Sequence, residues 1–177
     1  MLANVFDYEK EIEDKFRAIW YDPAYHYYFG DDTRWVPAFH RSDNENAHRH
    51  GFASVDKNGN LIGYISYMLY SNTRLVSNLG AMNFGGSKAI FAKDLMEAIC
   101  NVFIKFGVRT LEFGVVCGNP AEDGYDKVIK RMNGRILCTR KNRALSMDGQ
   151  LLDDKLYEVT REQFLASQAY QRYLKSH

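Results

Sequence analysis

Residues Gly85 to Cys117 read GGSKAIFAKDLMEAICNVFIKFGVRTLEFGVVC, and a change of period inside this stretch decides the fold. From Ala89 to Phe106 the apolar residues Phe91, Leu95, Ile99, Val102 and Phe106 fall on one helical stripe. Lys93, Asp94, Glu97, Asn101 and Lys105 occupy the opposite face, so an amphipathic helix is expected. Gly107 closes it, because a glycine accepts the left-handed geometry of a helix end. From Thr110 to Cys117 the period drops to two: Leu111, Phe113, Val115 and Cys117 share one face, and Thr110, Glu112 and Gly114 share the other. A strand over about Arg74 to Phe84 precedes the helix and ends at Gly85-Gly86. Strand, helix and strand in that order form a right-handed crossover and place parallel neighbours in a mixed sheet.

Working outward toward the N-terminus, Phe52–Val55 and Leu61–Tyr70 flank Lys57-Asn58-Gly59-Asn60, a tight hairpin signal. The second of these strands is apolar on both faces, which places it centrally. A helix is expected over Tyr8–Trp20, stopped at Asp22-Pro23, and an irregular stretch from Pro23 to about His50 follows. Trp20, Tyr21, Tyr25, Tyr27, Tyr28, Phe29, Trp35 and Phe39 crowd that region, either lining a cleft or packing as a cap. Toward the C-terminus, Asn119-Pro120-Ala121-Glu122 reads as an N-cap, a proline at the first position and an acid three residues after the cap. That helix runs to Asn133-Gly134. A strand from Arg135 to Met147, a turn at Asp148-Gly149, a strand from Lys155 to Thr160 and a closing helix from Glu162 to Leu174 complete the chain. The expected class is α/β, a central mixed and mostly antiparallel sheet flanked by helices. One domain over 1–177 is expected, with a helix and aromatic cap in 1–50, a core in 51–160 and a C-terminal helix in 161–177.

Composition narrows the function. The chain has 177 residues, enough to bury a sizeable core, with 46% hydrophobic and 25% charged residues. Its net charge of +1 argues against nucleic-acid binding, which rests on a basic excess. Cys100, Cys117 and Cys138 show no metal spacing and suggest no disulfide framework, which fits a reducing, cytoplasmic location. No apolar run is long enough for a membrane span, and no signal pattern opens the chain.

Three passages together resemble the GNAT acetyltransferase superfamily, over about Gly51 to Thr160. They are Ile104-Lys105-Phe106-Gly107-Val108-Arg109-Thr110-Leu111-Glu112-Phe113, the segment Asn119 to Lys127 with its Asn and Tyr-acidic-Lys spacing, and the terminal hairpin around Asp148-Gly149 and Asp154–Val159. The resemblance implies that acetyl-CoA lies between two splayed parallel strands, here those ending near Phe84 and Cys117, with Asn119 on the cofactor side. It also implies a pyrophosphate loop, Q/R-x-x-G-x-G/A, at the long helix. One register places Ser87–Ala92 on that loop, with Ile90 where the family has glycine. The preferred register, Asn83–Lys88, keeps Gly86, lets Ser87 cap the helix and adds Lys88 as a charge contact. Gly85, Gly86, Ser87, Lys88 and Ala89 are then the phosphate-side candidates, since small residues let backbone N–H groups approach an anion. Two glycines that merely turn the chain would look the same.

The resemblance assigns Tyr125 the protonation of the departing thiolate; its plain alternative is packing. Glu112, alternating on a central strand, is the candidate base, through water, and otherwise a salt-bridged strand charge. Asp123 and His26 have no spacing argument. His40, His48 and His50 do not complete a zinc signature, so no metal is expected. Lys130, Arg131, Arg135, Arg140, Lys141 and Arg143 would attract a nucleotide 3′-phosphate or an acidic substrate; a solvated helix end and a protected strand edge explain them as well. The expected activity is transfer of acetyl from acetyl-CoA to a primary amine of a small molecule or protein. The rival is a GNAT-like interaction or regulatory module with weak or no CoA binding. An edge strand would allow a homodimer, which nothing in the sequence requires.

Overall fold

The computed structural model describes residues 1–19, 22, 24, 49–146 and 148–176. The elements are β1 (Leu2–Asn4), a 3-10 turn (Val5–Asp7), α1 (Glu9–Ala18), β2 (Arg49–Val55), β3 (Leu61–Tyr70), β4 (Leu75–Asn83), α2 (Lys88–Ile104), β5 (Thr110–Val116), α3 (Glu122–Arg131), β6 (Arg135–Leu145), β7 (Leu151–Thr160), α4 (Arg161–Leu165) and α5 (Gln168–Ser176). The strands form one seven-stranded sheet in the order β1-β2-β3-β4-β5-β7-β6. Among the described residues only the β4–β5 junction is parallel, as the crossover through α2 requires, and every other pairing is antiparallel. The expected mixed, mostly antiparallel sheet flanked by helices is the fold observed.

Each sheet face buries its own apolar cluster. On one, Ile12 and Phe16 of α1 meet Val5, Ala53, Val55, Leu61, Tyr64 and Met82, and the Phe16 ring stands edge-on to Tyr64 and Phe84 at 6.0 and 5.4 Å. On the other, Ala98, Ile99, Val102 and Phe103 of α2 pack on Ile65, Tyr67, Val76, Leu111, Phe113, Tyr157 and Val159. Full burial of each Val, Leu, Ile, Phe or Met among them is worth about 1.5–3 kcal/mol. Asp94 is buried on α2 and accepts the Ser54 hydroxyl at 2.6 Å and the Met1 ammonium at 2.7 Å.

Three local expectations are corrected. β1 was not foreseen, being too short to show a period. β7 begins at Leu151, four residues before the expected Lys155, because β6 pairs with it down to Leu145↔Leu151. The closing helix is broken into α4 and α5. Thr160 and Gln163 form a reciprocal capping box on the first, and Ser167, fully buried, accepts the Tyr170 N–H at 3.2 Å and so caps the second. Phe164, stacked on Phe103 at 4.7 Å, holds the short α4 against α2.

Candidate active site

β4 and β5 are joined at two places only, Leu75↔Thr110 and Val76↔Leu111. The cause of their separation lies on the other edge of β4. Met68 pairs with Ser77 and Ser66 with Gly80, so β4 carries one extra residue in this interval. Asn78 takes it up with a left-handed φ of 52°, a conformation asparagine tolerates better than most side chains. A bulge of this kind bends its strand and breaks the ladder. Beyond Val76, β4 follows β3, while β5 stays paired with β7 along its whole length. A V opens between them, edged by backbone that has left the sheet ladder and needs other partners.

A cavity of about 410 Å³ fills the V, lined by Ser77–Ala81, Glu112–Val116, Asn119, Tyr125, Arg140, Asp154 and Leu156. A second, of about 440 Å³, lies between β4, α2 and α3 and includes Lys88, Phe91, Gly124 and Tyr125. Both contain Leu79, Ala81, Phe113 and Tyr125. The structure thus brings Glu112, Asn119 and Tyr125 to one cavity and Tyr125 and Lys88 to the other. The Tyr125 ring lies 5.7 Å from Phe113 and 6.4 Å from Tyr157, so the side chain is packed on the core while it also lines both cavities.

Asn119 is buried and its Oδ1 accepts the Ala121 N–H at 2.8 Å. This is a local turn ahead of the helix and not the expected N-cap: regular helix starts only at Glu122, capped by Ala121 without a side-chain bond. The Glu122 carboxylate accepts from Gly118 N–H at 2.9 Å rather than from Asn119, which displaces the expected box by one residue.

Gly85, Gly86, Ser87 and Ala89 lie in the β4–α2 loop and the first turn of α2, and line neither cavity. Asn83 Oδ1 accepts the Gly85 N–H at 2.8 Å, and Gly85 has φ +104°, where a side chain is strained. A Cβ on Gly86 would sit 2.1 Å from Ile62 Cγ2, so packing alone demands this glycine. Ser87 caps α2, accepting the Ile90 N–H at 3.4 Å. Helix geometry leaves the N–H groups of Lys88 and Ala89 without intrahelical acceptors, and no acid occupies the first turn. The Asn83 side-chain nitrogen is buried without a partner beside this helix end. Backbone donors at a helix N-terminus, with a lysine beside them, suit an anionic group.

A charged network, not foreseen, fixes α3 beside the cavity. Lys155 Nζ lies 2.5 Å from Glu122 and 3.1 Å from Asp126, and the Tyr157 hydroxyl donates to Asp126 at 2.6 Å. The Tyr157 bond, helped by Lys155, holds the Asp126 carboxyl below its usual range against the opposing effect of burial. Lys155 and the Gly118 N–H do the same for Glu122. Burial, and then Asp126, push the Tyr157 hydroxyl well above the ordinary phenol range. The sequence signal was Asp126 four residues after Glu122, which puts two carboxylates on one helix face opposite a strand lysine.

Other candidates disperse. Arg135, Arg140 and Lys141 pair across the edge hairpin with Glu158, Asp154 and Asp153, so they read as cross-strand ion pairs; only Arg140, held bidentately by Asp154, reaches the cavity wall. His50 stacks on Tyr67 at 5.4 Å. Among the described residues no group of His, Cys, Asp and Glu has metal-site geometry, and no helix is long and apolar enough to cross a membrane. The aromatic cap, His26, His40 and His48 lie outside the described residues.

Neither a protein-family model nor a curated sequence matches the chain. Solved structures do. A variant of spermidine N-acetyltransferase SpeG from Vibrio cholerae superposes with a TM-score of 0.59 at 16% identity, covering 69% of this chain and 71% of that one. The same enzyme in complex with manganese ions gives 0.57 at 16%, over 68% and 70%. A further acetyltransferase crystal structure gives 0.58 at 19%, over 72% of this chain and 66% of its own. The likeness at 16–19% identity is one of fold, and the mixed seven-stranded sheet of this chain with its flanking helices is the GNAT acetyltransferase fold.

Proposed function

We propose that this protein is an N-acetyltransferase that moves acetyl from acetyl-CoA to a primary amine. The observation that carries the reading is the opening of β4 from β5 beyond Val76↔Leu111, with Tyr125 lining both the cavity in the V and the one beside it. In this reading the acyl-pantetheine arm takes the place of the missing strand and pairs with backbone released by the Asn78 bulge. The pyrophosphate rests at the N–H groups of Lys88 and Ala89, with Asn83 as a further donor and Asn119 beside the arm.

The chemistry asks little of the protein beyond orientation. The neutral amine attacks the thioester carbonyl carbon, the carbon–sulfur bond breaks, and its electron pair leaves on sulfur. A backbone N–H from the bulged strand polarises the carbonyl as it gains charge. The Tyr125 hydroxyl gives its proton to the departing thiolate. Glu112, through water, takes the proton the amine sheds, which balances the step.

The test is calorimetric titration of acetyl-CoA, followed by a thiol-release assay over an amine panel that includes spermidine, the substrate in its neighbours' names. Micromolar binding with amine-dependent release of CoA supports the reading. Absence of binding at millimolar acetyl-CoA overturns it in favour of an interaction module. That second reading draws on the loop itself, since Gly85 and Gly86 both have structural reasons to be glycine.

A further inference from the structure

At the closed end of the V, far from the loop that opens α2, the chain assembles a basic site. Arg109 N–H donates to the Arg74 carbonyl at 2.7 Å, and Arg161 N–H donates to the Arg109 carbonyl at 2.8 Å. These bonds extend the rows Leu75↔Thr110 and Thr110↔Thr160 by one residue. Arg74, Arg109 and Arg161 therefore stand side by side at the ends of three adjacent strands, about 4.8 Å from strand to strand. All three line one depression of about 570 Å³, together with Gly107, Thr110, Thr160 and Glu162.

Like charges on adjacent strands repel, and this row has little to offset them. Among the described residues none of the three is ion-paired. Arg161 Nε donates to the Phe103 carbonyl at 3.1 Å, which orients its guanidinium without neutralising it. Three arginines against Glu162 leave the lining with two net positive charges. Arginine matches tetrahedral oxyanions through its planar fork of donors, and the Thr110 and Thr160 hydroxyls on the same walls add short-range donors.

We propose that the Arg74–Arg109–Arg161 row binds a phosphate dianion, either free or as the end group of a small organic phosphate. The site is independent of the acetyl-CoA reading. β4 runs from Leu75 to Asn83, so at about 3.3 Å per residue the α2 loop lies roughly 30 Å away. A dianion seated here bridges β4, β5 and β7 where the V is closed.

The experiment is calorimetry and thermal unfolding of the whole chain with inorganic phosphate, and separately with phenyl phosphate, at ionic strength held constant with sodium chloride. Saturable binding and a rise in Tm with phosphate, absent with chloride, are expected. Arg74→Gln and Arg109→Gln should each weaken it at least tenfold, while acetyl-CoA binding is unchanged. Arg109→Lys retains the charge and guards against misfolding; it should weaken phosphate several-fold by losing the fork. Tighter binding of phenyl phosphate assigns the site to an organic phosphate, and tighter binding of inorganic phosphate to the free ion. Equal stabilisation by chloride, affinity unaltered in the arginine variants, or loss of binding in Lys88→Gln instead would overturn the proposal.

Discussion

The Tyr157 hydroxyl donates to the Asp126 carboxylate at 2.6 Å, tying β7 to the helix that carries Tyr125. Tyr157 is fully buried, and Asp126 sits next to Tyr125 in sequence, so this bond helps fix where the Tyr125 ring enters the cavity. Removing it with Tyr157→Phe should cost about 1 kcal/mol, a fall in Tm of roughly 2–4 °C. Turnover should fall more than acetyl-CoA affinity does; an unchanged kcat would show that α3 is held well enough without the bond.

The same network fixes a pH response. Asp126 and Glu122 have folded pKa values below their unfolded ones. Their stabilisation is thus present above the unfolded carboxyl values, about 4, and is lost as pH falls through the folded values. Lys155 is raised by Glu122, so its contribution is full below the unfolded lysine value, about 10.4, and lost as pH rises through the folded one. Denaturant midpoints measured across pH should show a plateau between these limits. Lys155→Met should flatten the losses at both ends, and unaltered slopes would count against the network.

Tyr125→Phe keeps the ring contacts with Phe113 and Tyr157 and removes only the hydroxyl. Steady-state kinetics should show kcat lowered by about 10²-fold or more, the scale of general acid catalysis, with acetyl-CoA affinity nearly unchanged. Equal kcat in the two proteins assigns the proton to another donor.

Gly114 tests the cleft without disturbing the fold. A Cβ there would meet only the Lys155 carbonyl at 3.5 Å and Asp154 Oδ2 at 3.8 Å, ordinary contacts, and the residue lines the V cavity. Gly114→Ala should leave Tm unchanged or raised, because glycine weakens a strand, while acetyl-CoA binding weakens. Full binding by this variant would place the ligand elsewhere.

Substitutions at the α2 loop separate stability from binding. Ala89→Glu puts an acid in the first turn of α2, where the helix dipole favours it by about 0.3–1 kcal/mol, yet repels a pyrophosphate. Tm should hold or rise while acetyl-CoA affinity falls. Gly86→Val is the opposite case: its clash with Ile62 should cost about 1–3 kcal/mol, so loss of binding there reports misfolding.

The elements that could be read from the sequence are those whose signal is local. The stripe Phe91–Phe106, the alternation Leu111–Cys117 and the hairpin at Asn58-Gly59 each encode their own geometry in period or turn chemistry. Ser87 as the α2 cap was legible for the same reason. The Asn78 bulge was not, since an extra residue exists only relative to the register of β3 against β4. Its trace was the run Ser77-Asn78 with Gly80 close behind, set among the apolar residues Leu75, Val76, Leu79, Ala81 and Met82. The arginine row was hidden likewise: positions 74, 109 and 161 become neighbours only once three strand ends are set in register. Glu112, Asn119 and Tyr125 could be named because they belong to a spaced pattern, whereas Lys155 and Asp126 meet across 29 residues of chain.

The two residue pairs that join β4 to β5 have a mechanical consequence. By its backbone bonds the sheet is two leaves, one of four strands and one of three, with a seam two residues long. What spans the seam is the apolar underside: Ala98, Ile99, Val102 and Phe103 touch a cluster drawn from both leaves. Backbone ladders resist shear strongly, whereas side-chain packing yields to small rotations. A molecule wedged along the seam and bonded to both strands would supply the missing rungs and turn two leaves into one continuous plate. A filled cleft would therefore join the two leaves through backbone bonds as well as through packing.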